Sequence, residues 1–172
     1  RGNGGGGFVG DGDVALKGWG GVEANPEDLL DRRHDDGAWK TEYEIECSRG
    51  ANDAGARGHS AAKKAFRNGE SEFEIHLAFL RGTLQAEEEL PYANIIALNE
   101  NGSVLHYLQH IRERHDKTKS YSFLIDAGPQ FHGYASDIPR TYSDKQAAFR
   151  DLIRTLAASA PSRSAGATTQ AT

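Results

Sequence analysis

The sequence predicts an α+β fold with an antiparallel sheet, because its helical patterns come first and its strand patterns follow. Two capping boxes, Thr41 with Glu44 and Ser71 with Glu74, each open a helical stretch. Beyond them, short apolar runs are separated by turn residues, of which Asn99-Glu100-Asn101-Gly102 is the clearest group.

Taken in order, residues 1–24 are glycine-rich around one short apolar element, Phe8-Val9-Gly10, and can supply a strand and loops. Asn25 reads as the N-cap of a first helix, with Pro26 at the first helical position and Glu27 and Asp28 near the positive end of the dipole. Residues 41–66 form the longest helical pattern, carrying Tyr43, Ile45, Cys47, Ala51, Ala54, Ala62 and Phe66 as its less polar members. Within it Gly50, Gly55 and Gly58 each cost about 1 kcal/mol relative to alanine, so local fraying is expected. Asn68-Gly69 stops that helix. Ser71 then caps another, with Phe73, Ile75, Leu77, Phe79, Leu80 and Leu84 as its apolar set. Residues 94–98 and 103–107 are expected to pair as a hairpin. Residues 121–127 and 131–135 supply two more strands, and Ser143 with Gln146 caps a last helix to about residue 156. Residues 161–172 are Ser, Ala, Thr and Gly with one arginine, too poor in apolar side chains to offset ordering entropy, and are expected to be disordered.

Composition bounds the possibilities. The chain has 172 residues, enough for one ordinary domain, but only 37% are hydrophobic and 20 are glycine, so the core should be thin. A net charge of −5 with no basic stripe argues against nucleic acid as a partner. No stretch has the apolar length of a membrane helix, and the start lacks a signal-peptide core, so a membrane role is not expected. Cys47 has no second cysteine to pair with; a small buried hydrophobe in a reducing cytoplasm fits it. The absence of methionine, at the start and throughout, hints at a piece of a longer protein.

Asp126 and Asp137 carry the chemistry. Asp126 ends the run Phe123-Leu124-Ile125, and Asp137 sits in Gly133-Tyr134-Ala135-Ser136-Asp137-Ile138, so both acids stand where strands would enter a core. Strands folding back around residues 128–133 would bring them together, since antiparallel neighbours lie roughly 5 Å apart. Two facing carboxylates repel unless a divalent cation lies between them. The plain alternative is a pair of strand-end acids that cap turns or bind Arg140.

Residues 124–142 resemble the first metal-binding hairpin of the pita-bread metallopeptidases, within them the bacterial Xaa-Pro dipeptidase (prolidase) and organophosphorus acid anhydrolase branch. The resemblance also runs through Ala38-Trp39-Lys40-Thr41-Glu42-Tyr43-Glu44-Ile45-Glu46-Cys47, Ser71-Glu72-Phe73-Glu74-Ile75, residues 90–101 and Val104-Leu105-His106-Tyr107, covering about residues 25–156. It implies a partial pita-bread domain: residues 1–38 a remnant of the N-terminal domain and linker helix, 39–156 the first half of the catalytic domain, 157–172 a tail. It also implies that Asp126 chelates one metal and Asp137 bridges two, with manganese the best fit to oxygen-rich ligation. A histidine and two glutamates complete the family's site from a second half that this chain stops short of, so the chain is expected to be inactive alone, and no general acid or base can be named. The alternative is a non-catalytic half-domain that binds metal weakly or not at all. Family members are commonly homodimeric and act on proline-containing dipeptides.

Of the seven histidines, His34, His110, His115 and His132 lie in polar contexts and are expected to be solvated, while His59 and His76 lie within helices without a second histidine four residues away. His106 follows Val104-Leu105 in an expected central strand. A core histidine bonded to a backbone carbonyl and a functional histidine are both open readings there; the resemblance implies substrate contact. Tyr92 reads either as a core aromatic or, by the resemblance, as a wall of the substrate pocket. Pro139, where the family has threonine, removes a backbone donor close to Asp137.

Overall fold

In the strand Ser122–Ala127 every second side chain is buried: Phe123, Ile125 and Ala127 are covered on one face, whereas Ser122, Leu124 and Asp126 on the other are only partly so. That period of two fixes which way the sheet faces. The computed structural model describes residues 6–8, 22–116, 122–143 and 147–159. It forms two units, one running up to Thr41 and the other starting at Glu42.

In the first unit β1 (Gly6–Phe8) pairs in parallel with β2 (Val22–Ala24), and α1 (Glu27–Ala38) follows. Pro26, not Asn25, occupies the cap position: its φ of −60° and ψ of 132° are extended, and its carbonyl accepts from the Leu29 and Leu30 amides. Asn25 has φ +52°, outside the extended range an N-cap uses. None of the residues of α1 is buried.

The second unit opens with α2 (Glu42–Asn68), which packs along α3 (Glu72–Thr83). A three-stranded antiparallel sheet follows, in the order β3 (Ile95–Leu98), β4 (Ser122–Ala127), β7 (Ile138–Ser143). Between β4 and β7 a small hairpin projects, β5 (Gln130–Phe131) with β6 (Tyr134–Ala135), turning through His132 and Gly133 at positive φ. Helix α4 (Ala147–Ser159) then packs against β7. The α+β architecture expected from the sequence is present, with Ala62, Phe66, Ile75, Phe79, Ile96, Leu98, Phe123 and Ile125 forming the core between helices and sheet.

Four further expectations change. The glycines do not fray α2, which runs unbroken for 27 residues. Each marks a close approach instead: a Cβ on Gly50 would stand 2.8 Å from the Phe131 ring, one on Gly55 3.0 Å from Ile138, and one on Gly58 2.7 Å from Phe79. On α3, a Cβ on Gly82 would lie 2.9 Å from the Gly58 Cα, so the two helices meet glycine on glycine. Gly58→Ala therefore gains about 1 kcal/mol of helix propensity but overpacks by about 1–3 kcal/mol. A lower thermal midpoint than the parent chain is the expected outcome.

Second, the hairpin expected across residues 94–107 does not form. Residues 99–103 wind into a 3-10 turn, residues 104–116 contain no strand, and β3 pairs with β4. The cause is Glu72, which is fully buried. Its carboxylate accepts from the Leu98 amide (2.8 Å), Asn101 Nδ2 (2.9 Å), the Tyr107 hydroxyl (2.7 Å) and the Ile111 amide (3.0 Å). A buried ion needs this many donors, and gathering them overrides the turn signal of Asn99 to Gly102. Third, residues 131–135 are not one strand but the turn of the small hairpin. Fourth, Ser143 ends β7 rather than capping α4; Gln146, Tyr121 and residues 161–172 lie outside the described residues.

The second capping box is present in full. Ser71 Oγ accepts from the Glu74 amide at 3.3 Å while Glu74 Oε2 accepts from the Ser71 amide at 2.8 Å. Arg114 also donates to Glu74 through two nitrogens, and that guanidinium, with the Ser71 amide, lowers the Glu74 carboxyl to about 2.

Candidate metal centre

Asp126 stands opposite Pro139 in the β4–β7 register, and Asp137 lies two residues before Pro139. The pleat therefore puts both acids on one face of the ribbon, the face turned away from α2 and α3. The intervening chain turns sharply: the Ser136 amide donates to the Pro129 carbonyl at 2.9 Å. Gly128 makes this possible, because a Cβ there would overlap the Ser136 carbonyl and come within 3.0 Å of the Tyr92 hydroxyl. Pro139 is tolerated because β7 is an edge strand.

The electrostatics of the pair are those of a site short of positive charge. Burial first, and then the facing Asp137 charge, raise the Asp126 carboxyl above the ordinary carboxylate value. Asp126 Oδ1 is buried with no hydrogen-bond partner. Asp137, on the exposed side, accepts from the Tyr92 hydroxyl at 3.0 Å, and burial together with that carboxylate pushes the Tyr92 phenol up. Arg140 neutralises neither acid: its guanidinium donates to the Pro139 carbonyl at 2.7 Å. The pairing of the aspartates with Arg140 is thus not what the chain adopts. Among the described residues no third His, Cys, Asp or Glu joins the two acids in a metal-sized cluster.

The donor set fits a hard divalent cation, since an orphaned buried carboxylate oxygen facing a second carboxylate is satisfied by one. A stability consequence follows. A carboxyl whose folded pKa is raised adds stability below its unfolded pKa and loses it as pH rises through the folded value, so ionised Asp126 opposes folding at neutral pH. Asp126→Asn is expected to raise the metal-free thermal midpoint at pH 7 by roughly 3 °C and to leave it unchanged at pH 3. Calorimetric melts at the two pH values check this.

Tyr92 and His106 fare differently. Tyr92 joins the acids directly. His106 is not in a strand: it is exposed in a turn with φ +52°, a left-handed conformation costing about 1 kcal/mol or more in a non-glycine residue. It nonetheless lines, with Asp126, a mostly apolar cleft of about 370 Å³ whose other walls include Ile95, Val104, Leu105 and Leu124. The core histidine bonded to a backbone carbonyl is His59, whose Nε2 donates to the Ala127 carbonyl at 3.1 Å, one residue beyond Asp126. Burial lowers its imidazole pKa. His110 is half-buried against His76 rather than solvated.

A family model described as metallopeptidase family M24 matches residues 46–160. The chain is 49% identical over 134 residues to Xaa-Pro dipeptidase of Aeromonas hydrophila, covering 78% of this chain and 30% of that protein. With Xaa-Pro dipeptidase of Pseudoalteromonas haloplanktis it is 51% identical over 135 residues, again 78% of this chain and 30% of the relative. Among solved structures, proline aminopeptidase P II from Yersinia pestis superposes with a TM-score of 0.55 at 28% identity, covering 71% of this chain and 27% of that one. Zinc-substituted aminopeptidase P from Escherichia coli, in complex with product, gives 0.53 at 30% identity over 62% of this chain and 24% of that one. The chain thus spans about a third of the length of these curated relatives.

Proposed function

The chain belongs to metallopeptidase family M24, and on that premise we propose that residues 42–159 form the first metal-gripping half of a dinuclear Xaa-Pro dipeptidase, with Asp126 and Asp137 as ligands. The observation that carries this reading is the buried, unpartnered Oδ1 of Asp126 on the same strand face as Asp137. When bound, two divalent cations would supply a hydroxide nucleophile and polarise the scissile carbonyl; oxygen-rich ligation is in keeping with manganese. Around them the chain's own residues orient. The Tyr92 hydroxyl fixes Asp137, β4 fixes Asp126, and the cleft bearing His106 offers an apolar wall suited to a proline ring. Tyr92 and His106 are assigned to substrate contact. A cytoplasmic, homodimeric parent enzyme is part of the same proposal, and the buried free Cys47 is in keeping with a reducing compartment.

We infer further that the 172-residue polypeptide is inactive by itself, because two carboxylates are too few to hold two cations and, among the described residues, no third His, Cys, Asp or Glu joins them. Isothermal titration with manganese tests the site: heat from the parent chain and none from the Asp126→Ala, Asp137→Ala double variant is the expected result, and equal heats remove the metal assignment. An Xaa-Pro dipeptide assay with added manganese tests the inactivity; turnover by the isolated chain overturns it. A second reading, a non-catalytic half-domain with weak or no metal binding, is favoured by the exposure of Asp137. It is the outcome if the parent chain takes up no manganese at millimolar concentration.

A further inference from the structure

His76 projects from α3 into a buried position, 2% exposed, where neither ring nitrogen has a hydrogen-bond partner. Its ring lies against that of His110, with centroids 4.4 Å apart and planes 30° from parallel. His110 Nε2 lies 3.2 Å from the Asn94 carbonyl, which can only accept, so that nitrogen carries the proton. The stack therefore ties three pieces together: α3, the residue before β3, and the irregular segment 104–111. That segment bears His106 and is otherwise anchored through Tyr107 and Ile111 to Glu72.

We propose that the face-to-face pair of His76 and His110 is a proton-released latch: neutral, it holds segment 104–111 against α3, and protonated, it lets that segment open. The reason is geometric. A proton added to His76 creates a buried cation with a second imidazole against its face and no acceptor within hydrogen-bond distance. The charged groups around it are few. Glu87, from the 3-10 turn at residues 87–89, reaches 3.7 Å from His76 Nε2, but its side chain is mostly in water, so it offsets only part of the cost. Glu72, one turn earlier on α3, is already engaged by four donors. Burial first, and then His110, lower the His76 pKa, with Glu87 opposing. A base with a lowered pKa binds its proton more tightly once released, so acid drives opening: holding is complete above about pH 6.5 and is lost progressively below it. The latch stands on the stack alone; its consequence for substrate contact at His106 rests on the dipeptidase reading.

Hydrogen exchange on the metal-free, full 172-residue chain tests it, with rates corrected for the intrinsic pH dependence. The Ile111 amide is compared with the Ile125 amide in β4 between pH 7.5 and 5.5, in the parent and in His76→Phe, which keeps an aromatic ring but cannot titrate. In the parent, protection of Ile111 should fall by up to ~10-fold relative to Ile125, the most that one histidine supplies over this range, and the fall should vanish in His76→Phe. A fall of the same size in both proteins, a parallel fall at Ile125, or no fall in the parent each overturns the latch. Should His76→Phe fail to fold, His76→Leu, which likewise cannot titrate, serves with the same expected and overturning results.

Discussion

Replacing Glu72 with alanine should cost about 3–5 kcal/mol and leave the second unit largely unfolded at 25 °C. The carboxylate is the common acceptor for four donors drawn from residues 98, 101, 107 and 111, and it is fully buried. Removing it leaves two backbone amides, an amide side chain and a phenol without their acceptor, and each unsatisfied buried group costs about 1–3 kcal/mol before relaxation. Water entering the vacated space recovers some of this, which is why the total is set near the cost of breaking a buried ion's network and not at the sum of its parts. Glu72→Gln should be milder, about 2–3 kcal/mol, because one amide oxygen still accepts while the new NH2 faces donors. Urea denaturation followed by circular dichroism reads both. An unfolding free energy for the alanine variant within about 0.5 kcal/mol of the parent would show that the network contributes nothing.

Gly128→Ala is expected to do comparable damage by a different route. The added Cβ would overlap the Ser136 carbonyl, a backbone atom that cannot rotate aside, and would crowd the Tyr92 hydroxyl. Either β4 or the residues leading into β7 must shift, so the ribbon loses the register that sets Asp126 diagonally from Asp137. A destabilisation of about 3 kcal/mol or more follows, in the range reserved for changes that force backbone apart. Manganese heats should fall with it. The informative comparison is Gly133→Ala, at the tip of the small hairpin, where nothing lies within 4 Å of a built Cβ and only a φ of +83° resists substitution. That change should cost about 1 kcal/mol and leave manganese binding intact. If both alanine variants bind manganese as the parent does, the tight crossing at Gly128 is not what aligns the acids.

What could be read from the chain depended on how far apart the interacting residues are. Ser71 and Glu74 are three residues apart and their reciprocal bonds were legible, as was a strand over residues 121–127, although its alternating burial, which turns Asp126 toward the cleft, is masked in the sequence by the apolar run Phe123-Leu124-Ile125. The pairing of Asp126 with Asp137 was legible because a short excursion joins them, although the excursion proved to be its own hairpin, with β7 starting after it. Glu72 was read only as part of a helix start. Nothing local announces that its donors come from 26 to 39 residues away. The same distance hid the stacking of His110 on His76. It hid the role of the α2 glycines too, whose contacts lie on Phe131, Ile138 and Phe79. His106 was misplaced for a related reason: the apolar Val104-Leu105 suggests a strand, but its neighbours Tyr107 and Ile111 are drawn to the buried carboxylate and the backbone between them turns.

The excursion between β4 and β7 closes on itself at its base, through the Ser136 amide and the Pro129 carbonyl, and turns back at His132-Gly133 with free space around the glycine. Because its two ends are already cinched, peptide spliced between His132 and Gly133 would be carried on a stalk. A tag or fluorophore grafted at that tip would report on the acids a few residues below without straining either of them.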